Sequence, residues 1–138
     1  MFRSLPVAIL LSLAVAAPAN AAASVSGLWL TTEKDSIVEI GPCGDALCGR
    51  ITRILSPTPQ GPPKDTNNPN PALRSRPIQG LAILTGFKDA GKVWQGTIYD
   101  PRAGKTYKSF LTLLANGTLQ VKGCIGPFCR AMPWTRAR

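Results

Sequence analysis

Between Val25 and Arg136 the chain runs as short stretches of alternating apolar and polar residues, each broken by turn formers before the next begins. No other feature constrains the fold as much. Side chains two apart share one face of a strand, and a sheet must bury one of its faces. Residues 25–31 place Val25, Gly27 and Trp29 together, residues 36–40 pair Val38 with Ile40, and residues 48–55 are rich in β-formers. Residues 81–87 alternate through Leu81, Ile83, Thr85 and Phe87, and residues 93–99 align Trp94, Gly96 and Ile98. Residues 105–114 and 118–123 turn Leu111, Leu113, Leu119 and Val121 inward, and residues 128–136 close the chain.

The turns support the same reading. Asn116-Gly117 between two alternating runs predicts a type I′ hairpin, whose central residues both need positive φ. Asp100-Pro101-Arg102-Ala103-Gly104 predicts a longer hairpin loop, with Pro setting the turn and Gly taking the left-handed position. Short strands joined this way form an antiparallel sheet that folds over or closes, and closure removes its adhesive edges. The expected fold is all-β: a small antiparallel up-and-down β-barrel. Residues 56–80 interrupt the rhythm with seven prolines and no strand signal. A loop of this length in a compact domain is commonly functional. Within it, Asn70 as cap and Pro71 at the first helical position predict one short helical turn. Asp65 lies close in sequence to Arg74 and Arg76, and a bidentate Arg–carboxylate pair could pin the loop.

Residues 1–23 read as a signal peptide. Arg3 supplies the positive start, 5–17 an apolar run, and Ala19-Asn20-Ala21 and Ala21-Ala22-Ala23 two small-x-small motifs, so cleavage is expected after Ala21 or Ala23. The apolar run is shorter than the roughly 20 residues a membrane span needs, and no later segment is longer, so no transmembrane segment is expected. Residues 24–138 are then a single β-barrel domain, expected as a periplasmic or secreted monomer.

An even cysteine count in a small exported domain points to disulfides. The four cysteines form two C-x4-C units, Cys43 with Cys48 and Cys124 with Cys129. Each unit could close its own four-residue hairpin loop, because opposed residues of a hairpin are close enough for a disulfide. Chain entropy favours crossed pairs, since a longer closed loop stabilises by roughly 4.5 rather than 2 kcal/mol. A strained bridge loses that advantage, however, and the local pairs Cys43–Cys48 and Cys124–Cys129 are expected. A four-thiolate zinc site also fits the spacing, but an oxidising compartment opposes it.

The chain has no histidine, which removes imidazole bases and histidine metal ligands together. No activated Ser or Cys constellation is evident and carboxylates are few, so neither catalytic residues nor a cofactor is expected, and no enzyme. The net charge of +9 comes from basic residues scattered without a dense run, which reads as solvated strand faces rather than a nucleic-acid site.

The residues Gly27-Leu28-Trp29, Cys43-Gly44, Leu47-Cys48-Gly49 and Asp65-Thr66-Asn67-Asn68-Pro69 form a recognisable set with Arg74-Ser75-Arg76-Pro77. It continues through Trp94-Gln95-Gly96-Thr97-Ile98-Tyr99-Asp100-Pro101, Gly104-Lys105-Thr106-Tyr107, Gly123-Cys124 and Trp134-Thr135-Arg136. In these the chain resembles the exported bacterial family catalogued as domain of unknown function 2147. The resemblance implies a lipocalin-like barrel of the calycin group and brings no catalytic or ligand residues with it. It also implies that Trp29 packs at a closed end beneath Arg136 of the last strand.

The expected function is a binding module for an unknown small molecule, apolar or amphipathic, beneath the proline-rich loop. The alternatives are an envelope interaction protein, such as a protease or lysozyme inhibitor, and attachment to acidic envelope polymers. Candidate ligand-binding residues are Asp65, Asn67, Asn68, Arg74 and Arg76 in the loop and the aromatics Trp94, Tyr99 and Tyr107. Two arginines with amide side chains could grip a carboxylate or phosphate. One carboxylate in that stretch is too little charge for calcium, so no metal is expected. With residues 56–80 set aside, about 90 residues remain for the barrel, and a large cavity is not expected.

Overall fold

The computed structural model describes Phe2 and residues 4–15 and 21–138. Arg3, residues 16–17 of the apolar run, and Ala19 and Asn20 of the first cleavage motif lie outside the described residues. Residues 4–15 form neither helix nor strand, and their large apolar side chains are exposed.

Among the described residues the chain forms eight strands: β1 (Gly27–Leu30), β2 (Ser36–Cys43), β3 (Ala46–Ile54), β4 (Ala82–Asp89), β5 (Trp94–Asp100), β6 (Lys105–Leu113), β7 (Leu119–Ile125) and β8 (Phe128–Arg136). Each pairs antiparallel with its neighbour in sequence, and β1 also pairs with β8 to close the barrel. The expected strands are all present, with ends shifted by a few residues at most.

An up-and-down barrel sorts its connections to two ends. The β2–β3, β4–β5 and β6–β7 turns and the approach to β1 lie at one end. The β1–β2, β5–β6 and β7–β8 turns and the long 55–81 connection lie at the other. The first end is closed. Val25 and Trp29 are wholly buried there, and the Trp29 indole N–H donates to Val25 O at 2.9 Å. The Arg136 guanidinium lies 4.0 Å from the centre of the Trp29 ring and donates to Ser26 O at 2.8 Å. The buried tryptophan is thus roofed by a cation and its polar atom is satisfied. Above it, Val38, Leu84, Phe87, Leu111, Leu119 and Val121 pack as a dense core.

Three local expectations need correction. Thr85 does not share a face with Phe87. A bulge at Gly86 adds a residue to β4, so Leu84 and Phe87 both point inward while Thr85 lies outside against Thr97. The β6–β7 turn is not type I′, because Asn116 keeps negative φ and only Gly117 is left-handed at +85°. Gly117 N–H bonds Leu114 O and Leu114 N–H bonds Thr118 O, giving a three-residue loop with a glycine bulge. The cysteine hairpins are also tighter than the spacing suggested. Their strands run to within two residues of each tip, pairing Cys43 with Ala46 and Ile125 with Phe128.

Both disulfides are the local ones. Cys124 and Cys129 face each other directly, with Cα atoms 4.1 Å apart. Cys43 and Cys48 bridge diagonally across β2 and β3 at 5.5 Å. Local pairing prevails because each hairpin already brings its own cysteines within bridging distance.

Candidate functional site

At the open end the barrel is hollow. A cavity of ≈ 700 Å³ is walled by apolar side chains, among them Ile51, Ile54, Ile83, Ile98, Met132 and Trp134. The expectation of little space is overturned, because residues 56–80 do not stand apart from the barrel. Pro63, Lys64, Asn67 and Ile78 from that segment continue the cavity wall upward. The segment works as a strap across the mouth, and its chain length adds to the chamber.

A buried carboxylate holds the strap. Asp65 has no exposed surface. Its Oδ1 accepts from the Tyr99 hydroxyl at 2.5 Å, and its Oδ2 accepts from Arg76 Nε and Asn68 Nδ2, both at 2.8 Å. The expected bidentate pair is therefore a single Arg76 contact, since Tyr99 occupies the other oxygen. Asp65 N–H also bonds Arg76 O at 2.9 Å, and Lys64 bridges to Pro77, so the strap folds back on itself around the carboxylate. Burial raises the Asp65 carboxyl. The bonds from Tyr99, Asn68 and Arg76 and the charge of Arg76 outweigh it and hold the pKa below the ordinary value. The Tyr99 hydroxyl is pushed up, first by burial and then by donating to Asp65.

The rest of the strap is built around Asn68 and the short turn. Asn68 Oδ1 accepts from Asn70 N–H, and Arg74 Nε donates to Asn68 O at 2.8 Å. The 3-10 turn Pro71–Leu73 forms as expected, with Asn70 capping Ala72 N–H. Asn67 donates to Arg102 O in the β5–β6 turn. Gly104 of that turn is left-handed, and a β-carbon there would lie 1.8 Å from Asn67 O. Only glycine lets the strap come this close.

Charged groups ring the mouth. Arg102 reaches from the β5–β6 turn to Asp35 and, at 3.5 Å, to Glu33, both in the β1–β2 turn. Thr31 Oγ1 donates to Asp35 at 3.0 Å. These contacts join two turns that are distant in sequence, and nothing in the residue pattern announces them.

The candidate residues therefore separate into three groups. Asp65, Asn68, Arg76 and Tyr99 form one cluster, which Arg74 joins through the Asn68 carbonyl. Asn67, Tyr99 and Tyr107 line the cavity. Trp94 is apart from it at the closed end, where its indole N–H donates to Ala23 O at 2.8 Å. The isoleucine wall was missed as a site because sequence reading treated it as core. Strand parity could have found it, since Ile83 and Ile98 were already placed with inward-facing sets. Ser109, across from Gly123 on the β6–β7 pair, is wholly buried, and its hydroxyl has no partner among the described residues.

Comparison with known proteins agrees with this geometry. A structure search finds a solved Helicobacter pylori protein described as "Protein HP1028 from the human pathogen Helicobacter pylori belongs to the lipocalin family". The two superpose with a TM-score of 0.74 at 25% identity, over 83% of this chain and 84% of that one. A search of curated proteins finds no match. The family described as "Uncharacterized protein conserved in bacteria (DUF2147)" matches residues 27–136. With its barrel, roofed tryptophan and strapped mouth, the chain belongs to that family.

Proposed function

We propose that this protein is a carrier or sensor of a small apolar or amphipathic molecule held in the open half of the barrel. The observation that carries the reading is the ≈ 700 Å³ cavity, apolar in its depth and charged at its rim. Ligand sites are typically concave and mostly apolar, with a few placed polar groups. Tyr107 offers a hydroxyl to the hollow, Ser109 holds an unpartnered one opposite Gly123 of its wall, and Asn67 lines it from the strap. The lipocalin-like fold supports a binding module.

Displacement of a neutral naphthylamine dye, together with native mass spectrometry of purified protein, tests this. Dye binding and a carried small-molecule mass are expected. Gly123 is the position from which to block the cavity, since a β-carbon there meets Ile98 and Tyr107 only at 3.8 Å, an ordinary contact. Gly123→Leu is expected to abolish dye binding while the barrel stays folded. No dye binding by the parent protein, with a clean apo mass after incubation with lipids and metabolites, would refute the reading.

The two disulfides fit an oxidising setting outside the cytoplasm. Export would remove a leader, and local contacts support cleavage after Ala21 over Ala23. Ala22 N–H donates to Asp89 Oδ2 at 2.9 Å, and Ala23 O accepts from Trp94. Cleavage after Ala21 keeps both contacts and places a new ammonium against Asp89. Cleavage after Ala23 removes both. The intact mass of exported protein distinguishes the two.

A further inference from the structure

The β7–β8 hairpin carries an exposed apolar tip at the edge of the cavity mouth. Ile125 and Phe128 flank its tip, 66% and 79% exposed. Among the described residues they are the only large apolar side chains of the barrel more than half exposed. The Cys124–Cys129 disulfide sits one pair behind them and ties the two strands together. The tip therefore cannot splay or fold inward to hide these side chains, and their exposure is built in.

β6, β7 and β8 carry charge of one sign, while Asp100 lies across from Lys105 and Glu33 and Asp35 sit in the β1–β2 turn at the same end. All seven acidic residues of the chain lie at or before Asp100, whereas seven of the sixteen Lys and Arg follow it, so β6, β7 and β8 carry no carboxylate. Charge that looks scattered along the sequence is gathered by the barrel into one acid-free wall. Arg130 lies two residues beyond Phe128, and Lys105 begins β6 at the same end, whereas Lys108 turns away over the Phe110 ring. Arg130 and Lys105 make no ion pair among the described residues, whereas Arg102 is held by Glu33 and Asp35.

We propose that this hairpin docks the protein on an anionic lipid bilayer, Ile125 and Phe128 entering the interface while Lys105 and Arg130 meet lipid phosphates. A protein partner would need a pocket shaped to a narrow convex tip. A fluid interface needs none, and a small apolar insertion works together with cations on anionic lipid. Ile125 and Phe128 also line the cavity mouth, so docking sets that mouth against the membrane. The inference goes beyond the cavity reading and stands without it.

Vesicle co-sedimentation of the full mature protein tests it, using phosphatidylcholine alone and phosphatidylcholine with phosphatidylglycerol in equal parts. Binding is expected only to the mixed vesicles, weakening as added salt screens the charges. The double variant Ile125→Ser, Phe128→Ser is expected to bind at least about tenfold more weakly. Lys105→Gln with Arg130→Gln should lose about fivefold per charge. Because the substituted side chains are exposed, thermal unfolding should not change. Phe128→Trp supplies a second readout, quenching by brominated acyl chains in the mixed vesicles only. Failure of the parent protein to sediment, equal binding to neutral vesicles, or undiminished binding by the serine double variant would each overturn the proposal. So would self-association that this double variant abolishes, since the occupant would then be a second copy.

Discussion

The two ends of this barrel are built from the same strands and solve opposite problems. At the closed end Val25, Trp29 and the core above them exclude solvent, and Arg136 roofs the indole. At the open end the same sheet surrounds a hollow of ≈ 700 Å³, and a proline-rich strap replaces the missing core. One end is held by packing and the other by a buried carboxylate with three side-chain donors. Packing is insensitive to acid, whereas a hydrogen-bonded carboxylate is not. The structure thus places its stability at one end and its adjustable part at the other.

The largest expected effect tests the closed end. Trp29→Ala should destabilise the whole barrel by about 3–5 kcal/mol, the usual cost of emptying a large aromatic site, with every spectroscopic probe shifting together in denaturant. A variant as stable as the parent would mean that the closed end does not anchor the fold.

Asp65→Ala comes next. It leaves Arg76, Asn68 and Tyr99 without their acceptor and should cost about 3 kcal/mol. Its effect should concentrate on the strap, read as faster hydrogen exchange over 56–80 with the β6–β8 amides still protected. Uniform loss of protection would erase the distinction between the two ends.

The same carboxylate predicts a pH dependence. Its folded pKa is depressed, so its contribution is complete above the ordinary carboxylate range near pH 4 and is lost as the pH falls through the lower folded value. Strap protection factors, corrected for intrinsic exchange, should fall in that acid window in the parent protein. In Asp65→Asn they should stay constant there.

Removing the Cys124–Cys129 bridge by a double serine substitution should cost about 2 kcal/mol, as expected for so short a loop. The Cys43–Cys48 bridge should cost a similar amount, but at the other end of the barrel. Smallest is Arg136→Gln, expected to lose about 1 kcal/mol through the cation–ring contact and the bond to Ser26. Melting temperatures of the three variants would rank them.

Much of this architecture is legible before any coordinates. Alternation located all eight strands, and the resemblance to a family anticipated Trp29 beneath Arg136. Local chemistry placed Asn70 and Pro71 at a helical turn and identified Asp65 as a partner for the strap arginines. Errors arose wherever a residue's role depended on a neighbour distant in sequence. Thr85 was assigned inward because a bulge at Gly86 leaves the apolar pattern intact. Trp94 lies outside the cavity wall, and its N–H goes to Ala23 O, a partner far away in sequence. The cavity was underestimated because a strap and a wall look like separate segments in a linear chain.

The amino-acid sequence by itself determined an antiparallel barrel with local crosslinks, since period-two burial and turn chemistry act between residues close along the chain. Only the tertiary structure decided that the open end encloses a cavity of ≈ 700 Å³, that Asp65 is sealed beneath Tyr99, and that cations from three strands share one side of the barrel. Those outcomes depend on how distant segments meet when the sheet closes, and no local rule encodes that distance.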